Sequence, residues 1–369
     1  SKSFFYPSVG LSWVPSSTWD LGNAFSYLKL RGSIASVGLP FPRFLTTPTY
    51  EYDATGKIWK DKTHYPIGDL KPERTITYEV GIDARLWKNI SLSASWYSAD
   101  TKNQTFDPAL PPSSSYTTIY LQTGHVRNTG VELSLGYSNQ WRDFGWSSNF
   151  TFSWNKNEIV DLASGALNPV TGQPLNLSEL DIKGLGKAKY ILKQGGTLGD
   201  LYTTSDLKFN DNGYVEVDKA GNLLLTDEGE QIYLGSVFPS ENLAWRNDFR
   251  YKGINLGLLF TGRIGGICYS ATQANMDLYG VSEVSAAARD AGGVLINGRE
   301  MVDAQKWYQA IGSQSGLPQY YTYSATNFRL QELSLGYTLP RKWFRNKMVL
   351  TVSFVGRNLW MIYCKAPFD

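Results

Sequence analysis

Apolar and polar residues alternate one by one along much of this chain. From Val131 the odd positions hold Val131, Leu133, Leu135 and Tyr137, while the even ones hold Glu132, Ser134, Gly136 and Ser138. Successive side chains of a strand point to opposite faces, so a period of two predicts a strand with one oily and one wet face. The same alternation sets Tyr78, Val80, Ile82, Ala84 and Leu86 against Glu79, Gly81, Asp83 and Arg85. It sets Trp146, Phe150, Phe152 and Trp154 against Ser147, Asn149, Thr151, Ser153 and Asn155. Ile254, Leu256, Leu258 and Phe260 share a parity, as do, less cleanly, Met348, Leu350, Val352 and Phe354. Such runs predict about ten strands, near 9–14, 26–37, 74–87, 90–101, 128–140, 144–156, 242–251, 254–264, 327–338 and 347–357.

The connections between these strands alternate too. From the second strand on, gaps of about 36, 26, 85 and 62 residues are each followed by a tight turn, at Lys88 and Asn89, Arg142 and Asp143, Lys252 and Gly253, and Pro340 to Asn346. Compact soluble domains rarely contain loops above about 15 residues and have no reason to alternate them with tight turns. Outer-membrane barrels do, with short periplasmic turns and long extracellular loops. The tight turns also carry an aromatic beside a cation: Trp87 with Lys88, Trp141 with Arg142, Tyr251 with Lys252, and Trp343 with Lys342 and Arg345. An amphipathic ring at the headgroup level with a cation beyond it suits a membrane rim, so Trp87, Trp141, Tyr251 and Trp343 are expected as periplasmic rim anchors. Aromatics plugging one end of a soluble barrel would leave both the cations and the loop asymmetry unexplained. The pattern predicts lipid outside the sheet and water inside.

Composition sharpens this only slightly. Aromatics make up 14% of the 369 residues, with 12 Trp and 23 Tyr, a surplus that a lipid-interface belt or a sugar-stacking surface would use. The net charge of +2, scattered along the chain, gives no basic stripe for nucleic acid. No run approaches the roughly 18 apolar residues of a membrane helix, so a membrane protein built from this chain has to be a barrel. The opening SKSFFYPSVG has no apolar h-region, as expected of a mature product or part of a longer chain.

Little in the sequence points to catalysis. GxSxG, HExxH and P-loop patterns are missing, and GLGKAKYILKQGG lacks the strand-then-helix setting of a dinucleotide site, so no enzyme and no cofactor are expected. Cys268 and Cys364 have no companions at zinc spacing and are expected as free thiols, with one disulfide as the alternative. His64 and His125 fall in different predicted loops and are expected to be ordinary loop residues, not a metal pair. NDNG at 210–213 resembles part of a calcium loop, but Lys208 stands where the first aspartate is needed, so a turn is expected. Asp227 and Glu228 are expected to be solvated. Residues 210–230 read as a hairpin pair, and 281–290 as a brief helix.

Ligand contacts are expected in the long loops. Asn297, Arg299, Asp303, Gln305, Trp307, Tyr308, Tyr320 and Tyr321, with Tyr323, mix flat rings with planar polar groups, which suits a sugar ring and its hydroxyls. The same mixture suits a protein interface or a loop packed on itself. Tyr116 and Tyr120 form a weaker group of this kind.

Several segments together carry a resemblance: LKLRGSIASVG, LKPERTITYEVGIDARLW, RNTGVELSLGY, GGTLGDLYTTS, TNFRLQELSLGYTLP and GRNLWMIYCKAPFD. In this order they resemble the C-terminal barrel half of SusC/RagA-like TonB-dependent transporters, outer-membrane importers of Bacteroidetes. The resemblance covers nearly the whole chain. It implies an all-β, transmembrane antiparallel β-barrel, these strands being about ten of some 22. It further implies an N-terminal plug, a SusD-like lid lipoprotein over the mouth, TonB-driven import of oligosaccharides or peptides, and a dimer of transporter–lipoprotein pairs. No plug, TonB-contacting segment or carboxypeptidase-like extension is found here, and the chain stops at Pro367, Phe368 and Asp369 where members continue through a further strand. Residues 1–369 are therefore expected to be the C-terminal part of such a barrel, with the plug and final strand outside this chain. The alternatives are a non-transporting surface receptor or adhesin on a barrel, and a soluble glycan-binding β-protein.

Overall fold

The computed structural model describes residues 5–40, 51–60, 64–65, 71–106, 118–162, 178–226, 229–313 and 315–367. Ten long strands carry it: β1 (Ser8–Trp13), β2 (Phe25–Leu39), β3 (Glu73–Leu86), β4 (Ile90–Phe106), β5 (Leu121–Trp141), β6 (Phe144–Asp161), β7 (Glu241–Tyr251), β8 (Ile254–Ile264), β9 (Asn327–Thr338) and β10 (Thr351–Cys364). They pair antiparallel in strict chain order in one ten-stranded sheet, with β1 and β10 as its edges.

All ten expected strands are present, and the differences have local causes. The strand expected at 128–140 runs from Leu121 to Trp141, because its upper part pairs with β4 as far as Phe106 against Leu121. The polar run Lys102 to Thr105 hid this ladder, since alternation lapses where neither face meets lipid. The strand expected at 347–357 begins instead at Thr351. The chain before it forms a short 3-10 turn, Arg341–Phe344, followed by Arg345 and Asn346 at positive φ of 52° and 61°.

Register keeps the two faces separate across the sheet. On one face Val80 opposes Trp96, Trp96 opposes Val131, and Val131 opposes Trp154. On the other Glu79 opposes Tyr97, Ser95 opposes Glu132, and Glu132 opposes Ser153. The oily face is bare: Leu335 is 51% and Phe354 77% exposed, in company with Val80, Trp96, Leu135, Trp245 and Val352. A contiguous apolar surface of this extent is not tolerated in water and belongs against lipid.

The four short connections lie at one end. Trp87 and Lys88 have φ of 46° and 69°, and Lys252 and Gly253 of 44° and 90°, the primed-turn geometry whose twist matches that of the strands. A Cβ at Gly253 would sit 2.8 Å from the Thr338 carbonyl oxygen, so the turn requires glycine. At the other end β4, β5 and β6, with 17, 21 and 18 residues, are far longer than the roughly 9–11 that cross a bilayer. Their excess carries the long connections.

Those connections are folded more thoroughly than their sequence suggests. Between β6 and β7, Glu179–Leu185, Ala188–Lys193, Asp200–Thr203 and Ile232–Ser236 form a second sheet. The expected hairpin pair follows from Asp206–Leu207 pairing with Leu225–Thr226, enclosing bridges from Phe209 to Val215 and Val217 to Leu223. Asn210 makes the expected turn, its side-chain oxygen accepting the backbone N–H groups of Asn212 and Tyr214 at 2.9 and 3.1 Å. Between β8 and β9 come α1 (Ala271–Leu278), α2 (Glu283–Asp290) and α3 (Ala304–Ile311), and α2 is the expected brief helix. Ser270, Ser282 and Asp303 cap these three N-termini.

Two apolar clusters hold this cap together. The first joins the strand tops to the second sheet through Phe106, Ile119, Val126, Ile159, Leu162, Leu180 and Leu192. The second joins the hairpins to the helices through Leu207, Leu223, Ala274, Ile296, Val302, Tyr308, Ile311, Leu317 and Tyr321. Cys268 and Cys364 are in no disulfide.

Candidate functional site

The wet face of the sheet is a wall of hydroxyls, amides and paired charges. Arg31 forms ion pairs with Glu79 and, at 3.6 Å, with Asp83, whose carboxylate also accepts the Ser93 hydroxyl at 2.7 Å. Farther round, Arg246 pairs with Asp248 at 2.9 Å and Glu332 at 3.5 Å, and Glu332 with Arg357 at 3.1 Å. Partly exposed pairs of this kind contribute about 0–1 kcal/mol each, so they define the wall's chemistry more than its stability. Between the two charge groups lies a hollow of about 380 Å³, reached by Arg31, Ser95, Glu132, Ser134, Thr151 and Asn242. A second, of about 370 Å³, opens nearer the turns among Arg85, Ser91, Ser138, Asn149 and Asp248.

Above the wall sits the cap, where the eight loop candidates separate into groups. Asn297, at φ 54°, clamps the neighbouring hairpin: its side-chain oxygen accepts the Val215 N–H at 2.8 Å and its amide donates to the Val215 carbonyl at 3.0 Å. Arg299 lies over the Tyr214 ring, 5.1 Å from its centroid. Asp303 accepts the Lys306 N–H at 3.2 Å as the cap of α3. Trp307 and Tyr320 meet edge to face at 6.0 Å. Tyr308 and Tyr321 are core residues; Tyr321 is 2% exposed and donates to Asp277 at 3.0 Å. Burial, then the Asp277 carboxylate, pushes the Tyr321 hydroxyl far above the usual tyrosine range, so it remains a donor. Tyr323 is half-buried and is raised by burial and then by Asp277.

Gln305 and Tyr308 line a common hollow. It measures about 160 Å³, lies among α1, α2 and α3, and is completed by Asp277, Tyr279, Ser285 and Arg289. Its size is below that of sites for drug-sized ligands and suits one side chain or one sugar ring. Sequence reading missed Asp277 and Arg289, although each closes a helical turn facing α3. Tyr120 immediately precedes β5 at its loop end, while Tyr116, Asp227 and Glu228 lie outside the described residues.

The four rim candidates do share one end. Trp87, Trp141, Tyr251 and Trp343 are all exposed there, with Trp141 stacked on Phe144 at 5.9 Å and Lys252 over the Tyr251 ring at 5.3 Å. His125 bonds to Asp100 at 2.7 Å, and among the described residues no group of three His, Cys, Asp or Glu is arranged to hold a metal ion.

Comparison with known proteins gives one family. The family described as "TonB dependent receptor-like, beta-barrel" matches residues 1–236. TonB-dependent receptor P3 of Formosa agariphila is 24% identical over 97% of this chain, which spans 37% of that receptor. TonB-dependent receptor SusC of Bacteroides thetaiotaomicron is 20% identical over 90% of the chain, or 32% of its own length. Among solved structures, the RagAB peptide importer in its closed-closed state superposes with a TM-score of 0.71 at 19% identity, over 97% of this chain and 40% of that one. The likeness shows a shared fold, and the chain spans well under half the length of the relatives it matches.

Proposed function

The chain belongs to the TonB dependent receptor-like β-barrel family and is a protein of the bacterial outer membrane; from that premise we propose that it is the C-terminal barrel portion of a SusC/RagA-type importer of polar oligomers. The observation that carries the proposal is the pairing of an oily outer face with a wet inner wall that leads up to a folded mouth. Such a wall passes a hydrated oligosaccharide or peptide by exchanging hydrogen bonds, since hydroxyls, amides and paired charges line its hollows. The likeness to the RagAB peptide importer supports a peptide, and the likeness to SusC supports the architecture alone.

In this reading energy reaches the barrel from TonB through an N-terminal plug, and a SusD-like lipoprotein covers the mouth, in a dimer of such pairs. Trp87, Trp141, Tyr251 and Trp343 anchor the periplasmic rim. Asn297, Arg299, Asp303, Gln305, Trp307 and Tyr320 shape the mouth, with Gln305 and Arg299 exposed toward cargo or lid and Tyr308 and Tyr321 supporting them from the core. The wall performs no bond chemistry.

The test is purification of the full-length protein from outer membranes in detergent, with mass spectrometry of what accompanies it. A lipoprotein partner and a bound oligosaccharide or peptide are expected. Recovery with neither, from a strain whose growth on oligosaccharides and peptides survives deletion of the gene, overturns the proposal.

A further inference from the structure

Three basic groups stand directly opposite one another at the loop end of the sheet. Arg74 of β3 opposes Lys102 of β4, Lys102 opposes His125 of β5, and Asp161 of β6 closes the row opposite His125. Two rows lower the partners are Tyr78, Ser98, Thr129 and Lys156, with Ile76, Asp100, Arg127 and Glu158 between. One row lower again is the oily row of Val80, Trp96, Val131 and Trp154. All these residues share one parity, so the basic row continues the lipid-facing surface upward.

The opposite face at this height is already covered. Val126 and Ile159, 1% and 0% exposed, point into the apolar cluster with Phe106, Leu180 and Leu192. The basic groups therefore look away from the cap, out over the membrane.

Their own partners do not neutralise them. Asp100 accepts from His125 at 2.7 Å and from Arg127 at 2.9 Å, and Glu158 pairs with Lys156 at 2.7 Å. Arg74 donates to the Ser36 hydroxyl at 2.9 Å, and the Lys102 amino group has no partner among the described residues. Arg74, Lys102, Arg127 and Lys156 thus share this face with three carboxylates, Asp100, Glu158 and Asp161, which leaves one positive charge in excess without counting His125. Like charges placed directly opposite destabilise an antiparallel pair unless an anion sits between them.

Height selects the anion. At about 3.3 Å per residue and a strand tilt near 40°, Lys156 lies roughly 5 Å above the Trp154 row, Arg127 roughly 10 Å and Lys102 roughly 15 Å. The headgroup layer of a simple phospholipid is only about 5–8 Å deep. A headgroup reaching the whole patch is taller and carries more than one phosphate. We propose that Arg74, Lys102, Arg127 and Lys156 bind the phosphates of an outer-leaflet glycolipid headgroup of the lipid A kind. The site lies on the outside of the barrel and rests on the outer-membrane orientation given above, not on the identity of the cargo.

The test uses native mass spectrometry of the full-length protein in detergent, incubated with diphosphoryl lipid A, with monophosphoryl lipid A, or with a phosphate-free lipid. The diphosphoryl form is expected to be retained best. Arg74→Gln with Lys102→Gln is expected to weaken that retention at least about tenfold, since each basic residue near a lipid phosphate contributes a factor of about five. Arg74→Lys with Lys102→Arg keeps the charge and retains binding, and Lys252→Gln, at the opposite end, leaves it unchanged. Equal retention of the phosphate-free lipid, no effect of the Gln pair, or displacement of bound lipid A by millimolar inorganic phosphate alone would overturn the proposal. Native heat-modifiable migration of the Gln pair keeps the barrel reading intact whichever way the lipid result falls.

Discussion

Trp146 donates its indole N–H to the side-chain oxygen of Asn247 at 3.2 Å, on the oily face of the sheet. Asn247 is directly opposite Ser148, whose hydroxyl accepts the indole N–H of Trp245 at 2.9 Å. Two polar residues in a lipid-facing position are thus each roofed by a tryptophan, and Asn247 is only 4% exposed. Trp146 and Phe249 stack at 6.2 Å and complete the roof.

This pairing makes the two partners interdependent. Trp146→Phe leaves the Asn247 oxygen buried without a donor and is expected to cost roughly 1–3 kcal/mol, whereas Trp146→Phe with Asn247→Leu removes both polar groups and is expected to be nearly neutral. Thermal unfolding of the full-length protein in detergent measures both, and a double variant as unstable as the single one would refute the interdependence.

Adjacent residues on β9 test the assignment of faces. Leu333 and Ser334 alternate, with Ser334 opposite Gly257 on the wet side and Leu333 opposite Leu258 on the oily side. Leu333→Arg is expected to cost roughly 2–4 kcal/mol and to reduce the folded fraction in outer membranes, while Ser334→Arg folds normally. Folding efficiency into lipid vesicles reads the difference, and equal outcomes would mean that the faces are assigned wrongly.

Asn297 holds two parts of the cap together through both polar groups of Val215. Asn297→Ala loses both bonds and places alanine at a φ of 54°, at a cost of roughly 2–3 kcal/mol locally. Hydrogen exchange across 209–223 should accelerate while the ten-stranded sheet stays protected. Unchanged exchange there would show that the clamp is dispensable.

Alkaline pH should loosen the second sheet. The Tyr233 hydroxyl donates to buried Asp200 at 3.2 Å, and partial burial, then that carboxylate, pushes Tyr233 up to about 12 from an ordinary value of 10.0. A group whose folded value is raised stabilises fully below its unfolded value and loses this contribution as pH rises through the folded one. Protection of 200–203 and 232–236 is therefore expected to fall between about pH 10 and pH 12. Tyr233→Phe should flatten that dependence, and an identical fall in the variant would assign it to another group.

The sequence alone determined the sheet: ten strands, their order of faces, the end carrying the turns and the branch of barrels they resemble. Strand parity is a local property, because a side chain two residues on must return to the same solvent. Lipid on one side and water on the other therefore write themselves into the residues one by one. For the same reason the ladder of Lys102 to Thr105 escaped notice, since above the membrane no such contrast exists. The cap was decided by tertiary structure. Its second cluster joins Leu207 and Leu223 to Ala274, Ile296, Tyr308 and Tyr321, residues far apart in sequence that share no period. Tyr308 and Tyr321 carry the same ring as Tyr320, yet the first two close the core and the third is exposed. Only the packing of α1, α2 and α3 separates them, because burial of a loop side chain depends on which distant segment folds over it.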